Sequence, residues 1–342
     1  MNIIQKAIHM IDYSSGKTFY RETLESFEEY VEELIDHIKN NESVRDYKTR
    51  ANTTQVISTA IQIFESTNQD VINSKFQEIA DRLLHVEEET QKRVYQMNVN
   101  VKKGSLIQAL LFDDKQDTYF YLLAKVEHSD FIDDSDFSLK TGFSKDKKTI
   151  WKSCLLNLYN IEGATEFDAK VYSDTKAKFW SDGFLELNEI TTDEKNTINC
   201  FKGIDSVLNR TLKQASLADY TYIRNAFIAY FRSHKHIDYP QMVEIITKDY
   251  VPLSLNAVSM DTFREKLKSL PKDKNFDCQF NSIPSEIAAR IRKIYHLNEG
   301  IELRLTHDIP DIKNTITAFQ DDNGEHYIKI RTNDDEAFKS FQ

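Results

Sequence analysis

The segment SHKHIDY, Ser233 to Tyr239, is the stretch closest in type to a metal or acid–base site. On a strand, His234, His236 and Asp238 would project to one side, and two imidazoles with a carboxylate can ligate a divalent ion. The same residues also close a helical pattern, and histidines at a helix C-terminus meet the negative end of its dipole. A helix end is the expected role; a metal-dependent hydrolase or nuclease is the weaker alternative. The acid pairs Asp133–Asp134 and Asp321–Asp322 stand in turn contexts, where solvated carboxylates are common. No Walker-type loop, GxGxxG, HExxH or GxSxG motif occurs, and eight glycines leave little material for a phosphate-cradling loop. The expectation is a protein with no catalytic residues, no metal and no cofactor.

The cations offer a different chemistry, because they cluster against the overall sign. From Phe201 to Lys235 stand Lys202, Arg210, Lys213, Arg224, Arg232 and Lys235, opposed only by Asp205 and Asp219. Arg210 with Lys213, and Arg224 with Arg232, fall at spacings that share a helix face. Tyr220, Tyr222 and Tyr230 lie among them as hydrogen-bond donors or stacking surfaces. A second cluster, SKDKKTIWK, sets Lys145, Lys147, Lys148 and Lys152 around Trp151. A third, ARIRKIY, brings Arg290, Arg292 and Lys293 together, with Arg304, Lys329 and Arg331 on later strands. Lys102 and Lys103 form a weaker pair at the start of a strand. Any one cluster alone also fits a solvated face. Several of them on a chain of formal charge −11 point to a local phosphate-binding surface that acts by counterion release. Such contacts position a protein on a sugar–phosphate backbone and do not read bases.

The elements that must position these residues follow from periodicity. IIQKAIHMID reads as a first strand, and LESFEEYVEELIDHIKNN as an amphipathic helix with Phe27, Val31, Leu34, Ile35 and Ile38 inward. TQVISTAIQIF fits either strand or helix. SKFQEIADRLLHVEE is helical, with Ser74 and Gln77 in a capping-box pattern. GSLIQALLF and TYFYLLAKV flank the polar turn DDKQD as a hairpin, and KTIWKSCLLNLYN and EFDAKVYS extend its sheet. After the aromatic cluster Phe179, Trp180 and Phe184 come helices, with Pro240 in a first turn and Asp261 as an N-cap. The strands GIELRL, NTITAFQ and HYIKIRT suggest a small antiparallel meander at the end. The expected fold class is α+β. A mixed α/β domain with a central hairpin-containing sheet spans 1–205, and a helical region ending in the meander spans 206–342.

The three cysteines, Cys154, Cys200 and Cys278, are far apart and form no CxxC pair, which fits a reducing compartment. The N-terminus is too polar for a secretory signal and no run is long enough for a membrane span, so a cytoplasmic location is expected.

In order along the chain, Ile8–His9, the Ile79–Ala80–Leu83 helix pattern, Gly104–Leu106 and the Tyr121–Leu122–Lys125 strand match a series of motifs. Together with AKFWSDGFLEL and FNSIPSEIAARIRKIYHLNEGIELRL, this series resembles the 37-kilodalton nucleoid-associated bacterial protein family. The resemblance implies a non-enzymatic nucleoid protein that binds double-stranded DNA with little sequence preference. It also implies self-association and contact with DNA-processing proteins such as type II topoisomerases. No residue set comes with it, so the candidate sites remain those of the charge clusters. Alternatives stay open: an acidic scaffold whose helix from Glu28 to Asp36 engages a basic partner such as a DNA enzyme, a diverged family member serving in a phage-defence or mobile-element setting, and the metal-dependent nuclease above.

Overall fold

The computed structural model describes residues 1–12, 15–22, 25–94, 104–132, 135–143, 150–173, 179–253, 259–306, 309 and 311–342. It divides into two compact units, Met1–Ile190 and Thr191–Gln342. The division falls earlier than the expected residue 205 because Ile204 and its neighbours lie inside a continuous helix, Asp193–Thr211.

The first unit is built on an antiparallel sheet. Its strands are β1 (Asn2–Asp12), β2 (Lys17–Tyr20), β3 (Arg45–Thr49), β4 (Gly104–Asp113), β5 (Thr118–Ile132), β6 (Leu139–Phe143), β7 (Ile150–Leu158), β8 (Asp168–Ser173) and β9 (Leu187–Glu189). They lie in the order β2-β1-β4-β5-β7-β8-β3-β9, with β6 paired to β5. The hairpin expected around DDKQD is β4–β5, in register from Gly104↔Glu127 to Asp113↔Thr118.

β4 is nearly continuous in apolar residues because both its faces are covered. Leu106 and Leu110, with Tyr121 and Leu123 of β5, pack in one core with α2 (Gln55–Glu65) and α3 (Gln69–Val94). Ile107, Ala109 and Leu111, with Leu122 and Ala124, pack on the other face with Leu34, Ile35 and Ile38 of α1 (Glu25–Lys39). The alternation of strand side chains thus produces three layers. The side chains of Phe27 and Val31 lie outside the described residues.

Two local expectations change. The ambiguous TQVISTAIQIF is helix α2, its stripe of Val56, Ile57, Ala60 and Ile63 buried. Ser74 and Gln77 do not cap a helix, because α3 begins at Gln69. There the Asn68 side chain accepts from Asp70 N–H at 2.9 Å, and Gln77 sits mid-helix, donating to Asp81 at 2.8 Å. Among the described residues, no helix is long and apolar enough to cross a membrane.

The second unit opens with helices α4 (Asp193–Thr211) and α5 (Leu217–Ser233). The short strand β10 (His236–Asp238) then leads into α6 (Tyr239–Thr247), followed by α7 (Met260–Lys268) and α8 (Leu270–Lys274). Strand β11 (Gln279–Asn281) pairs antiparallel with β10 and leads to α9 (Pro284–Ile291). Phe201, Leu208, Phe227, Phe231, Phe263 and Phe280 form the centre of its core. Pro240 is in the first turn of α6, as expected. The α7 cap is Ser259 and not Asp261: its hydroxyl accepts from Thr262 N–H at 3.3 Å, which leaves Asp261 inside the first turn.

The closing strands are antiparallel hairpins: β12 (Lys293–Asn298) with β13 (Ile301–Leu305), and β14 (Ile316–Gln320) with β15 (His326–Ile330). α10 (Ile312–Thr315) precedes β14, and α11 (Asp335–Lys339) follows β15.

Candidate nucleic-acid interface

Three of the cations converge in the second unit, and each is placed there by a different element. Ser216 caps α5, accepting from Asp219 N–H at 3.2 Å, and the helix ends with Arg232 in its last turn, where a cation complements the dipole. Proline opens α9, which stops at Arg292, the first residue to leave helical geometry. The chain then turns at once into β12, and Ile294 pairs with Arg304 across the β12–β13 hairpin. Arg232, Arg292 and Arg304 thereby line a single groove of about 450 Å³. Pro284, Ala288 and Ile291 of α9 give the groove an apolar wall, and Ser285 and Thr306 add hydroxyls.

Electrostatics sets this groove apart. Among the described residues, no acidic one lines it, in a chain of formal charge −11. All three guanidinium-bearing residues are exposed. The carboxylate of Glu302 reaches Arg304 at 3.8 Å, an exposed pair that water largely screens, and Glu302 also contacts His296 at 3.0 Å. Lys235 stands exposed three residues after Arg232, and Arg290 stands exposed between the lining residues Ala288 and Ile291.

Other candidates have different fates. Arg224 is buried, with Nε 2.8 Å from Asp205, Nη2 2.6 Å from the Arg290 carbonyl, and its guanidinium over the Phe201 ring. It ties α4, α5 and α9 together and does not face a ligand. Lys152 is likewise buried, its ammonium 5.3 Å from the Phe179 ring centroid. Arg210 and Lys213 are exposed near the end of α4, and Lys213 lies 6.0 Å over the Tyr220 ring. Tyr220 and Tyr230 are buried, which pushes both phenols above their ordinary range, and Tyr222 receives Lys313 at 5.0 Å. The tyrosines are packing residues. Lys102, Lys103, Lys145, Lys147 and Lys148 lie outside the described residues, as do the side chains of Trp151 and Lys293.

SHKHIDY divides between a helix end and a strand. His234 caps α5, its N–H donating to the Tyr230 carbonyl at 3.0 Å and its ring stacked on Tyr230 at 3.8 Å. Asp238 begins α6, accepting from Gln241 N–H at 3.1 Å, and also accepts from Gln279. Among the described residues, no group of three His, Cys, Asp or Glu side chains is arranged to hold a metal ion. Burial pushes the Cys154 thiol up to about 12 and also raises that of Cys200 well above its ordinary range, so both remain protonated packing groups.

The charge pattern grouped Arg292 with Arg304 and set Arg232 in a separate cluster, and gave no reason to bring the three to one groove. The signal that joins them is the hairpin turn at Asn298–Gly300, which folds β13 back on β12. Gly300 takes the left-handed conformation such a turn requires, with φ +79°. No protein-family model matches the chain, and no curated protein matches it.

Proposed function

We propose that this chain is a non-enzymatic DNA-associated protein that holds duplex DNA through its phosphates, with little sequence preference. The observation that carries the reading is the meeting of Arg232, Arg292 and Arg304 at one groove that no acidic residue lines among the described residues. On an acidic molecule, a local cationic surface favours a single docking orientation. Guanidinium is the suited group, since its planar fork can give a phosphate two parallel hydrogen bonds. The resemblance to the 37-kilodalton nucleoid-associated family supports the same reading. With it come a nucleoid location in a bacterial cytoplasm, self-association, and contact with a DNA-processing protein such as a type II topoisomerase.

Duplex retention measured across a salt series tests this. Each phosphate neutralised contributes about −0.9 to the slope of log affinity on log salt, so three arginines give roughly −2 to −3. Charge reversal by Arg232→Glu with Arg292→Glu should abolish retention at salt concentrations where the parent chain still binds. A parent chain that ignores duplex DNA even at low salt, or reversed variants that bind as well as it does, would overturn the reading.

A further inference from the structure

The β14–β15 hairpin is a sheet of two strands, and among the described residues β15 pairs with β14 alone. A two-stranded hairpin is marginal in water, and further strands sharing an apolar face are what commonly secure one. Every residue of β15 is exposed. The ladder decides which backbone groups its open edge presents. Arg331 N–H donates to the Thr315 carbonyl at 2.8 Å, and Asp321 N–H to the Glu325 carbonyl at 3.0 Å. The odd-numbered residues from Glu325 to Arg331 thus turn their polar groups toward β14. Those of His326, Ile328 and Ile330 point outward, a template for another strand. On one face Ile328 lies across from Ala318 and Ile330 from Ile316, an apolar stripe that is largely exposed. On the other face Tyr327 stacks on Phe319 at 4.9 Å.

The edge sequence EHYIKIR, Glu325 to Arg331, is complementary to itself when reversed. Its midpoint is Ile328, which is also the midpoint of β15. A second copy laid antiparallel about that point sets Ile328 against its own counterpart, Tyr327 against Lys329, and Glu325 against Arg331. The register also brings outward-facing backbone groups opposite one another, as an antiparallel ladder requires. Acid meets base at each end and the lysine meets an aromatic ring, and cross-strand pairs of these kinds stabilise a sheet. Glu325 accepts from the Tyr327 hydroxyl at 2.8 Å through one carboxylate oxygen, and the other can accept from arginine. β14, ITAFQ, carries no charge, so its edge offers nothing of this kind to select a partner.

We infer that β15 is the contact through which a second copy of this chain docks, edge to edge about a twofold axis at Ile328. Two two-stranded hairpins then merge into one sheet of four strands. The Ala318–Ile328 row of one copy runs on into the Ile328–Ala318 row of the other, so the apolar stripe becomes continuous. The same edge is used on both copies, so the pairing closes on itself. This rests on the self-association contained in the proposed function, to which it gives a surface, and it requires no nucleic acid. A contact confined to one strand and its flanks is small, so the dimer dissociates on dilution.

Sedimentation velocity of the full-length chain over a dilution series, without nucleic acid, tests this and should show a monomer–dimer equilibrium. Ile328→Pro removes an outward N–H and none of the bonds to β14, so it should abolish the dimer while circular dichroism stays that of the parent. Arg331→Glu should weaken association about tenfold, because the axis repeats the like-charge pair it creates. Adding Glu325→Arg should restore it, a rescue that a purely local role of either residue does not produce. The charge exchange decides the matter even where proline perturbs the hairpin. Ile328→Cys, placed on the axis, should give a disulfide-linked dimer under mild oxidation, and Asp322→Cys at the hairpin tip should not. A dimer indifferent to both Ile328→Pro and the charge exchange would overturn this surface and leave self-association standing. A chain monomeric throughout the series would remove both, and growth beyond the dimer would overturn the closed pairing.

Discussion

Arg224 and Arg232 belong to one helix and carry the same charge, yet Arg224 is buried on Asp205 and a backbone carbonyl while Arg232 lines the groove. Spacing of eight residues placed both on one face, but which surroundings each side chain meets depends on tertiary neighbours that charge counting does not see. The same holds for His9, which the first-strand pattern contains without indicating its environment. His9 is buried beside Tyr20, and burial pushes its imidazole below the usual range, against the opposing effect of Asp81 and a hydrogen bond with Gln77. Burial lowers His128 as well, with Arg21 adding to the effect. A histidine depressed in the folded state binds its proton more readily when unfolded. Its stabilisation is therefore complete above about pH 6.5 and is lost as pH falls below that value. Trp151 and Trp180, the two tryptophans, both belong to the first unit, so their fluorescence in the full chain reports its unfolding. The urea midpoint read this way should fall between pH 7.5 and 5.5, and His9→Gln should flatten that fall. A midpoint indifferent to pH would contradict the assignment.

Elements were legible wherever a face was buried continuously. α1, the β4–β5 hairpin, β7 and β8 follow directly from apolar periodicity, and Pro240 marked the start of α6. Helix starts were less legible, because several side chains can cap and only backbone geometry chooses among them. Asn68 took the role that Ser74 suggested, and Ser259 the role that Asp261 suggested. What ties elements together was hidden too. Lys125 on β5 forms a fully buried ion pair with Glu87 on α3, crossing from sheet to helix in the middle of an apolar layer. Removing one member takes the opposite charge away from the other in a medium that solvates charge poorly. Lys125→Met should cost about 3–5 kcal/mol in the same fluorescence-detected unfolding, and Lys125→Met with Glu87→Leu should recover most of that loss. A double variant no more stable than the single one would show that the pair does more than neutralise itself.

At the scale of the whole molecule, the order of periodic segments anticipated an α+β chain with a sheet-rich first part and a helical second part closed by small antiparallel strands. Two regions were expected with a division at 205; the division at Ile190 was not legible, because the helix that opens the second unit has the same polar first turn as any surface helix. Nor was the Arg232–Arg292–Arg304 groove, whose members are far apart in sequence and meet only through a helix end and a hairpin return.

The strand order of the first unit also fixes a sequence of events in time. β4 and β5 are joined by a tight turn, whereas β3 must find β8 across the whole middle of the unit, with Arg45 against Val171. Closing a longer loop costs more chain entropy, by about 0.6 kcal/mol per doubling, and contacts distant in sequence slow the search. In pulse-labelled refolding, amides of Leu106 to Leu111 and Phe120 to Ala124 should acquire protection before those of Arg45 to Thr49. Simultaneous protection would mean that the sheet assembles in one step, with its most distant pairing already present in the transition state.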